Sequence, residues 1–390
     1  MAKLKLRTPL AWFNLTYERR RLLTALAGVS FAVLLMFIFR GFENALYDSQ
    51  VQLIKLLNGD VMVVSKLKTN MFVPEQFARR RLYQAQAYGG VEAAYPLYTT
   101  TAYWKNPQTR RIRPLRVLAF NPEDPVLPLP GISDNLDQLK LPWTAVIDRR
   151  SRPEVGADAG RATEVSEQQV RLVGSFTLGT DFASGNGNLV MSDQNFLRYF
   201  GSLGPDQDRR DLNTVDVGLL KLKPGQNPDA LVATLRRQLP KDVSVYTKAE
   251  FVQIEREYWR NNTSIGFVFT LLATMSFIVG VILVYQILYT DVADHWAEYA
   301  TLKAMGYSNW YLLGVVLQEA MILAVMGFIP GCLVSAALYH LAANATGLLM
   351  QMTSTRVLNL FIATLVMCAI SGIIAVRKVQ ASDPAEVFGL

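Results

Sequence analysis

Leu22-Leu-Thr-Ala-Leu-Ala-Gly-Val-Ser-Phe-Ala-Val-Leu-Leu-Met-Phe-Ile-Phe39 runs without a charge and stops at Arg40. A helix needs roughly 20 apolar residues to cross a hydrocarbon core of about 30 Å. Lys3, Lys5, Arg7, Arg19, Arg20 and Arg21 stand in front of the run. A cleaved signal peptide also begins with basic residues, but its apolar stretch is shorter and ends in a small-x-small site. Here Arg-Gly-Phe-Glu-Asn follows instead. The stretch therefore reads as a retained span, and its removal would leave the mature N-terminus outside.

Three more runs of this kind follow, at about Ile265–Tyr289, Leu312–Ala343 and Val357–Val376. Working outward from them, the sequence predicts spans over 22–41, 264–289, 312–343 and 357–376. Pro330 falls inside the third, where neighbouring helices re-satisfy freed backbone groups. Arg377 and Lys378 close the fourth, so both basic ends vote for the inner side. That orientation puts 1–21 and the 377–390 tail inside, 42–263 outside, 290–311 inside and 344–356 outside. The inner loop carries Asp291, Asp294 and Glu298 against Lys303 and takes its side from the even span count.

Composition agrees. Hydrophobic residues make up 51% and charged residues 18% of the 390, below the roughly 25% charge of soluble domains. The net charge of +7 suits span-flanking positions better than nucleic acid, since no helix-turn-helix or zinc pattern accompanies it. Cys332 and Cys368 both sit in apolar runs, so the outer domain uses no disulfide. His295 and His340 are the only histidines, which leaves no Cys/His metal set.

Catalytic motifs are missing. There is no Gly-Lys dipeptide and hence no P-loop, and no H-E-x-x-H, although His295-Trp-Ala-Glu298 brushes it. No G-x-S-x-G occurs, and the outer domain has no His for a triad. The chain reads as a non-enzyme without cofactor or metal.

The outer region reads as α+β. Strand-like stretches are Asp60–Ser65, Ala94–Trp104, Arg113–Phe120, Thr144–Asp148, Gln169–Phe176, Asn188–Met191, Thr214–Leu222 and Val243–Tyr246. Helical patterns cover Pro74–Tyr88 and Pro228–Leu239, and another from Lys248 is expected to run straight into the second span. Asn121–Gly131, with four prolines, suggests a subdomain boundary. The expected fold is thus an α-helical membrane protein with a large α+β domain between spans one and two. Its membrane-proximal halves would be 42–120 and 212–263, with an inserted lobe at 121–211.

The inner loop holds the most information. Trp296, Tyr299, Leu302 and Met305 recur every third residue and give a short helix an apolar face. Gly306 suits the left-handed residue that ends a helix. Such a helix either rests on the bilayer surface or docks on a partner. Glu319, beside Gln318, is the one strong carboxylate inside a span. It either reaches the headgroups or makes a polar contact between helices. Gly327 and Gly331 either permit close helix approach or reflect the general glycine content of membrane helices.

Glu298-Tyr-Ala-Thr-Leu-Lys-Ala-Met-Gly306 resembles the E-I/Y-x-x-L-K-A-x-G signature of MacB/FtsX-type (type VII) permeases, found between their second and third spans. Leu10-Ala-Trp-Phe-Asn-Leu15 is similar to their amphipathic elbow helix. Gln318-Glu319 with Gly327 and Gly331 is similar to their third span, and Ala381-Ser-Asp-Pro-Ala-Glu386 to their closing x-x-D-P-x-E. Among them the chain most resembles DevC-type permeases, which lack the fused nucleotide-binding domain of MacB.

The resemblance implies an inner-membrane permease homodimer of an ABC exporter, with a periplasmic outer domain. ATP and Mg would be bound by a separate ATPase subunit. A periplasmic adaptor and a TolC-like outer-membrane channel would complete the path for envelope glycolipid-like material. The inner loop would be the coupling helix, with Trp296, Tyr299, Leu302 and Met305 as apolar contacts, Glu298 and Lys303 as polar ones and Gly306 as its end. Helices around Phe42–Leu57 and Lys248–Trp259 would be stalks transmitting force. The same resemblance admits an FtsX-like regulator of a cell-wall hydrolase or a lipoprotein-release permease; a membrane sensor is the reading from another class.

Overall fold

The computed structural model describes residues 19–156, 160, 162–181, 184–201, 211–296, 301, 305–346, 348 and 350–380. The elbow stretch Leu10–Leu15, the tail motif Ala381–Glu386 and the signature residues Glu298, Tyr299, Leu302 and Lys303 lie outside them. The chain forms two compact units. One comprises Met1–Asn44, Phe267–Ala342 and Met350–Leu390; the other comprises Ala45–Gly266 and Ala343–Leu349.

Helices are α1 Arg19–Leu56, α2 Arg80–Gln86, α3 Leu136–Leu139, α4 Asp193–Phe200, α5 Pro228–Gln238, α6 Lys248–Asn261, α7 Ser264–Asp294, α8 Asn309–Thr346 and α9 Ser354–Gln380. Strands are β1 Val61–Ser65, β2 Phe77–Ala78, β3 Val91–Lys105, β4 Ile112–Phe120, β5 Thr144–Asp148, β6 Ala162–Val165, β7 Gln168–Phe176, β8 Asn188–Ser192, β9 Thr214–Val215, β10 Val217–Leu222 and β11 Val243–Thr247.

Among the described residues, four helices are long and apolar enough to span a membrane: α1, α7, α8 and α9. Their shared core contains Val29, Val33, Met36, Phe37, Val284, Leu288, Leu323, Phe328 and Met367. Phe267, Leu271, Ile282, Ile329, Leu333 and Ile362 are exposed, as an apolar lipid-facing surface requires. Hydroxyls inside the spans are satisfied locally: Ser30 Oγ donates to Leu26 O at 2.6 Å and Ser335 Oγ to Gly331 O at 2.7 Å. The helix of α8 continues through Pro330. The expected inner loop of 290–311 is shorter than that, because α7 continues to Asp294 and α8 starts at Asn309.

The outer unit is built on one nine-stranded mixed sheet of order β11-β1-β10-β3-β4-β8-β5-β7-β6, with β2 and β9 paired beside it. The expected inserted lobe does not stand apart from the halves. Long β3 pairs with β10 through Val91–Leu97 and with β4 through Tyr98–Lys105, and β4 then pairs in parallel with β8. One sheet therefore crosses the proline-rich boundary. The stretch Asn121–Gly131 instead covers the sheet, with Val126 and Leu127 buried and Asn58 N donating to Val126 O at 2.9 Å.

Both faces of the sheet are covered. Val61 and Val63 of β1 join a core with Leu82, Phe196, Phe200, Val232 and Leu235 from α2, α4 and α5. Met62 and Val64 face a second core with Leu53 and Ile54 of α1, Leu57 directly after it and Phe251 of α6. Full burial of each such side chain contributes about 1.5–3 kcal/mol. A strand buried on both faces reads as continuously apolar, and β1 does.

Two of the four chain passages between the units are the expected stalks. The first is unbroken, since α1 carries the span and the stalk in a single helix. The second departs from the sequence expectation of a helix running straight into the span. Asn262 leaves helical geometry at φ −107°, ψ 4°, and α7 starts afresh at Ser264. Gly266 is required there, because a Cβ would lie 2.0 Å from Arg260 O.

Candidate functional site

The site expected from sequence starts where α7 ends. Val292, Val315, Val316 and Val376 form a small apolar cluster at this end of the bundle, with Leu313 and Trp296 packed against it. Trp296 is half-buried, so part of its ring serves the bundle. Met305 is 64% exposed and its N–H donates to Thr301 O at 3.0 Å, a helical turn closed from the preceding side. Gly306 has φ +94°, the left-handed conformation expected of a helix-ending glycine. The described part of the loop thus supplies a closing helical turn, an exposed Met and a stop.

Beside it lies a charged cluster that the sequence did not single out. Arg21 of α1 pairs with Asp294 and lies 3.8 Å from Asp291 Oδ1. His295 Nδ1 approaches the same Asp291 oxygen at 3.8 Å and the Asp291 carbonyl at 2.9 Å. Glu319 of α8 is fully buried and shares a side-chain hydrogen bond with Asp291 of α7. Glu319 is thus enclosed among the helices at this end of the bundle. Arg21 carried a signal only as one of several basic residues before a span, and nothing in its spacing pointed to Asp294.

The glycine pair lies against the first span. A Cβ on Gly327 would lie 2.6 Å from Val29 Cγ1, and one on Gly331 would lie 2.8 Å from Ser30 O. Both face α1, and Ser30 Oγ donates to Gly327 O at 2.9 Å. The small residues therefore set how closely α8 approaches the first span.

In the outer unit the stalks are fastened side by side. Arg256 of α6 meets Asp48 of α1 at 2.7 Å, and the Arg260 guanidinium lies 5.6 Å from the Tyr47 ring centroid. α6 begins with a capping box between Thr247 and Glu250. Farther along, Glu255 is fully buried and accepts from Met71 N at 2.7 Å and Trp259 Nε1 at 2.8 Å. Burial, partly offset by these two bonds, pushes its carboxyl up to about 7. The neighbouring Phe72 ring lies 5.1 Å from the Arg116 guanidinium, which pairs with buried Asp181 at 2.8 Å. Arg116 was legible only as a charge in the apolar strand Leu115-Arg-Val-Leu118.

Among the described residues no group of His, Cys, Asp and Glu is arranged to hold a metal.

Comparison with known proteins gives consistent relatives. Uncharacterized ABC transporter permeases of Mycobacterium tuberculosis and Mycobacterium bovis are 22% identical over 96% of this chain and 97% of their own length. The periplasmic region of MacB from Actinobacillus actinomycetemcomitans is similar over 51% of this chain and 94% of its own, at 12% identity and a TM-score of 0.35. The extracellular domain of the noncanonic ABC-type transporter YknZ from Gram-positive bacteria is similar over 48% of this chain and 99% of its own, at 10% identity and a TM-score of 0.33. Residues 270–384, which hold the last three spans and the segment between α7 and α8, match the FtsX-like permease C-terminal family. With a first span and a folded domain ahead of that region, the chain is similar over nearly its whole length to proteins named ABC transporter permeases, and its last three spans are similar to the C-terminal region of FtsX-like permeases.

Proposed function

We propose that the chain is the membrane subunit of an ABC exporter that transmits the closure of separate ATPase subunits to its outer domain. The observation that carries this reading is α1. One uninterrupted helix holds Arg21 beside Asp291 and Asp294 at one end and Leu53 and Ile54 in the sheet core at the other. A movement of the segment between α7 and α8 would bear on Arg21 through those two carboxylates and on the first span through its contact with Gly327 and Gly331.

In this reading residues 296–306 are the coupling helix, on the cytoplasmic side with both termini, in the bacterial inner membrane. Trp296, Tyr299, Leu302 and Met305 meet the ATPase through apolar surface, and Glu298 and Lys303 through polar contacts. ATP and Mg are bound by that partner. The permease works as a homodimer with a periplasmic adaptor and, through it, an outer-membrane channel, exporting envelope glycolipid-like material of the DevC type. Transport then needs no pore between the spans.

Affinity purification of the intact protein from its native membrane tests this. Recovery of an ABC ATPase with an adaptor is the expected result. Recovery of an ATPase with a cell-wall hydrolase and no adaptor contradicts export and favours the FtsX-like regulator.

A further inference from the structure

The outer unit contains a cavity of about 880 Å³ that the coupling reading does not use. That is within the roughly 300–1,000 Å³ typical of ligand sites. Its polar wall is the turn after β5, where Arg149, Arg150 and Arg152 follow in close succession, with Ser151 and Asn186 beside them. The turn is held from behind. Asp148, fully buried, accepts from Arg150 N at 3.0 Å, Leu178 N at 3.1 Å, Gly179 N at 2.8 Å and Asn188 Nδ2 at 2.8 Å. Arg149 N donates to Phe176 O and Arg152 N to Asn186 O, both at 2.8 Å.

Two of the three guanidiniums on this fixed turn have no partner among the described residues. Arg149 Nε donates to Ser175 Oγ at 2.6 Å, and among the described residues Arg150 and Arg152 have neither an ion pair nor a side-chain hydrogen bond. Ser151 Oγ is buried without a partner. Of the two carboxylates in the lining, Asp181 is already bound by Arg116, which leaves Glu154 alone against three cations. The rest of the lining includes the apolar residues Leu46, Ala345 and Leu348. All of these residues belong to the outer unit. Leu46 directly follows the first span along the chain, and Leu348 lies between the third and fourth.

We propose that this cavity binds the anionic head of an amphiphile, a phosphate or carboxylate held by Arg150 and Arg152, with the adjoining apolar part against Leu46 and Leu348. Arginine suits the role because its planar fork takes such oxygens in pairs. The amphipathic lining selects a head joined to a chain over a fully soluble anion. The site goes beyond the export reading and does not depend on it, because a permease that moves other cargo, or only transmits force, keeps it.

The test uses the full-length protein in nanodiscs, with native mass spectrometry reading retained phosphatidylglycerol against phosphatidylcholine. The wild type is expected to retain phosphatidylglycerol at least tenfold better than R150Q/R152Q, and phosphatidylcholine equally poorly in both. R80Q/R237Q, which removes the same charge elsewhere on the outer unit, is expected to bind as the wild type. Equal retention by wild type and R150Q/R152Q overturns the site, as does an equal loss in both double variants, which marks non-specific attraction. Binding of inorganic phosphate by the wild type alone, without lipid retention, overturns the amphiphile in favour of a soluble anion.

Discussion

The two stalk passages, among the four by which the chain moves between the span-forming unit and the outer unit, are built by opposite means. The first is a single helix, Arg19–Leu56, fixed to the sheet by apolar burial of Leu53 and Ile54, with Leu57 directly after it. The second is two helices, α6 and α7, interrupted at Asn262 and Thr263, and α6 is held by polar contacts: the Thr247–Glu250 box, the Glu255 bonds and the Arg256–Asp48 pair. An unbroken rod passes on displacement along its axis, whereas a break lets the chain change direction locally. The second passage also carries Glu255, the buried carboxyl that gives it a dependence on pH.

Breaking the buried Arg116–Asp181 pair, beside the Phe72 ring that packs on Trp259 of α6, is expected to have the largest effect. Arg116→Ala leaves Asp181 buried without its cation, which costs about 3–5 kcal/mol, and removes the cation over Phe72. Chemical unfolding of the outer unit followed by tryptophan fluorescence should show that loss, and R116M/D181L should recover much of it. No recovery would mean that Arg116 acts through packing alone.

Proline separates rod from joint. Asn44→Pro falls inside α1 and should cost about 3 kcal/mol or more. Ser264→Pro falls at the first position of α7, where proline is tolerated, and should change the melting temperature little. Equal effects would remove the distinction between the passages.

The third prediction concerns pH. The folded Glu255 carboxyl titrates near 7, above its ordinary 4.5. Below about 4.5 both folded and unfolded chains hold the proton. As pH rises from there to 7 the unfolded chain loses it first, so stability falls through that window and levels off above it. Melting curves between pH 5 and 8 should show this decline, and Glu255→Gln should flatten it while losing one accepted hydrogen bond. The smallest effect is Thr247→Ala, about 0.5–2 kcal/mol from loss of the cap, visible in the same melts without a change in their pH slope.

The spans were legible because nothing but lipid explains uncharged runs such as Leu22–Phe39. β5 was legible to the residue, since Thr144–Asp148 is a short apolar stretch between turns. The joint was not: Asn262 and Thr263 are ordinary helix-end residues, and only the closeness of Gly266 to the Arg260 carbonyl shows why the chain must turn. α4 was missed because it follows β8 directly, with Ser192 serving as both last strand residue and N-cap. The single sheet was hidden because β3 changes partner midway, a pairing set by residues far apart in sequence. Of the site, Gly306 could be read locally, whereas the Arg21–Asp291–Glu319 cluster depends on three helices meeting. Glu298, Tyr299, Leu302 and Lys303 are known only from the sequence pattern.

The central claim is that force enters at the segment between α7 and α8 and leaves through the stalks. The direct measurement places spin labels on α5 and on β6 of the outer unit in both copies of the reconstituted permease–ATPase complex, and compares inter-copy distances with and without ATP and vanadate. The account predicts a nucleotide-dependent shift in the wild type that Leu302→Asp or Glu298→Lys abolishes while membrane insertion stays intact. A shift that persists in both variants would contradict it.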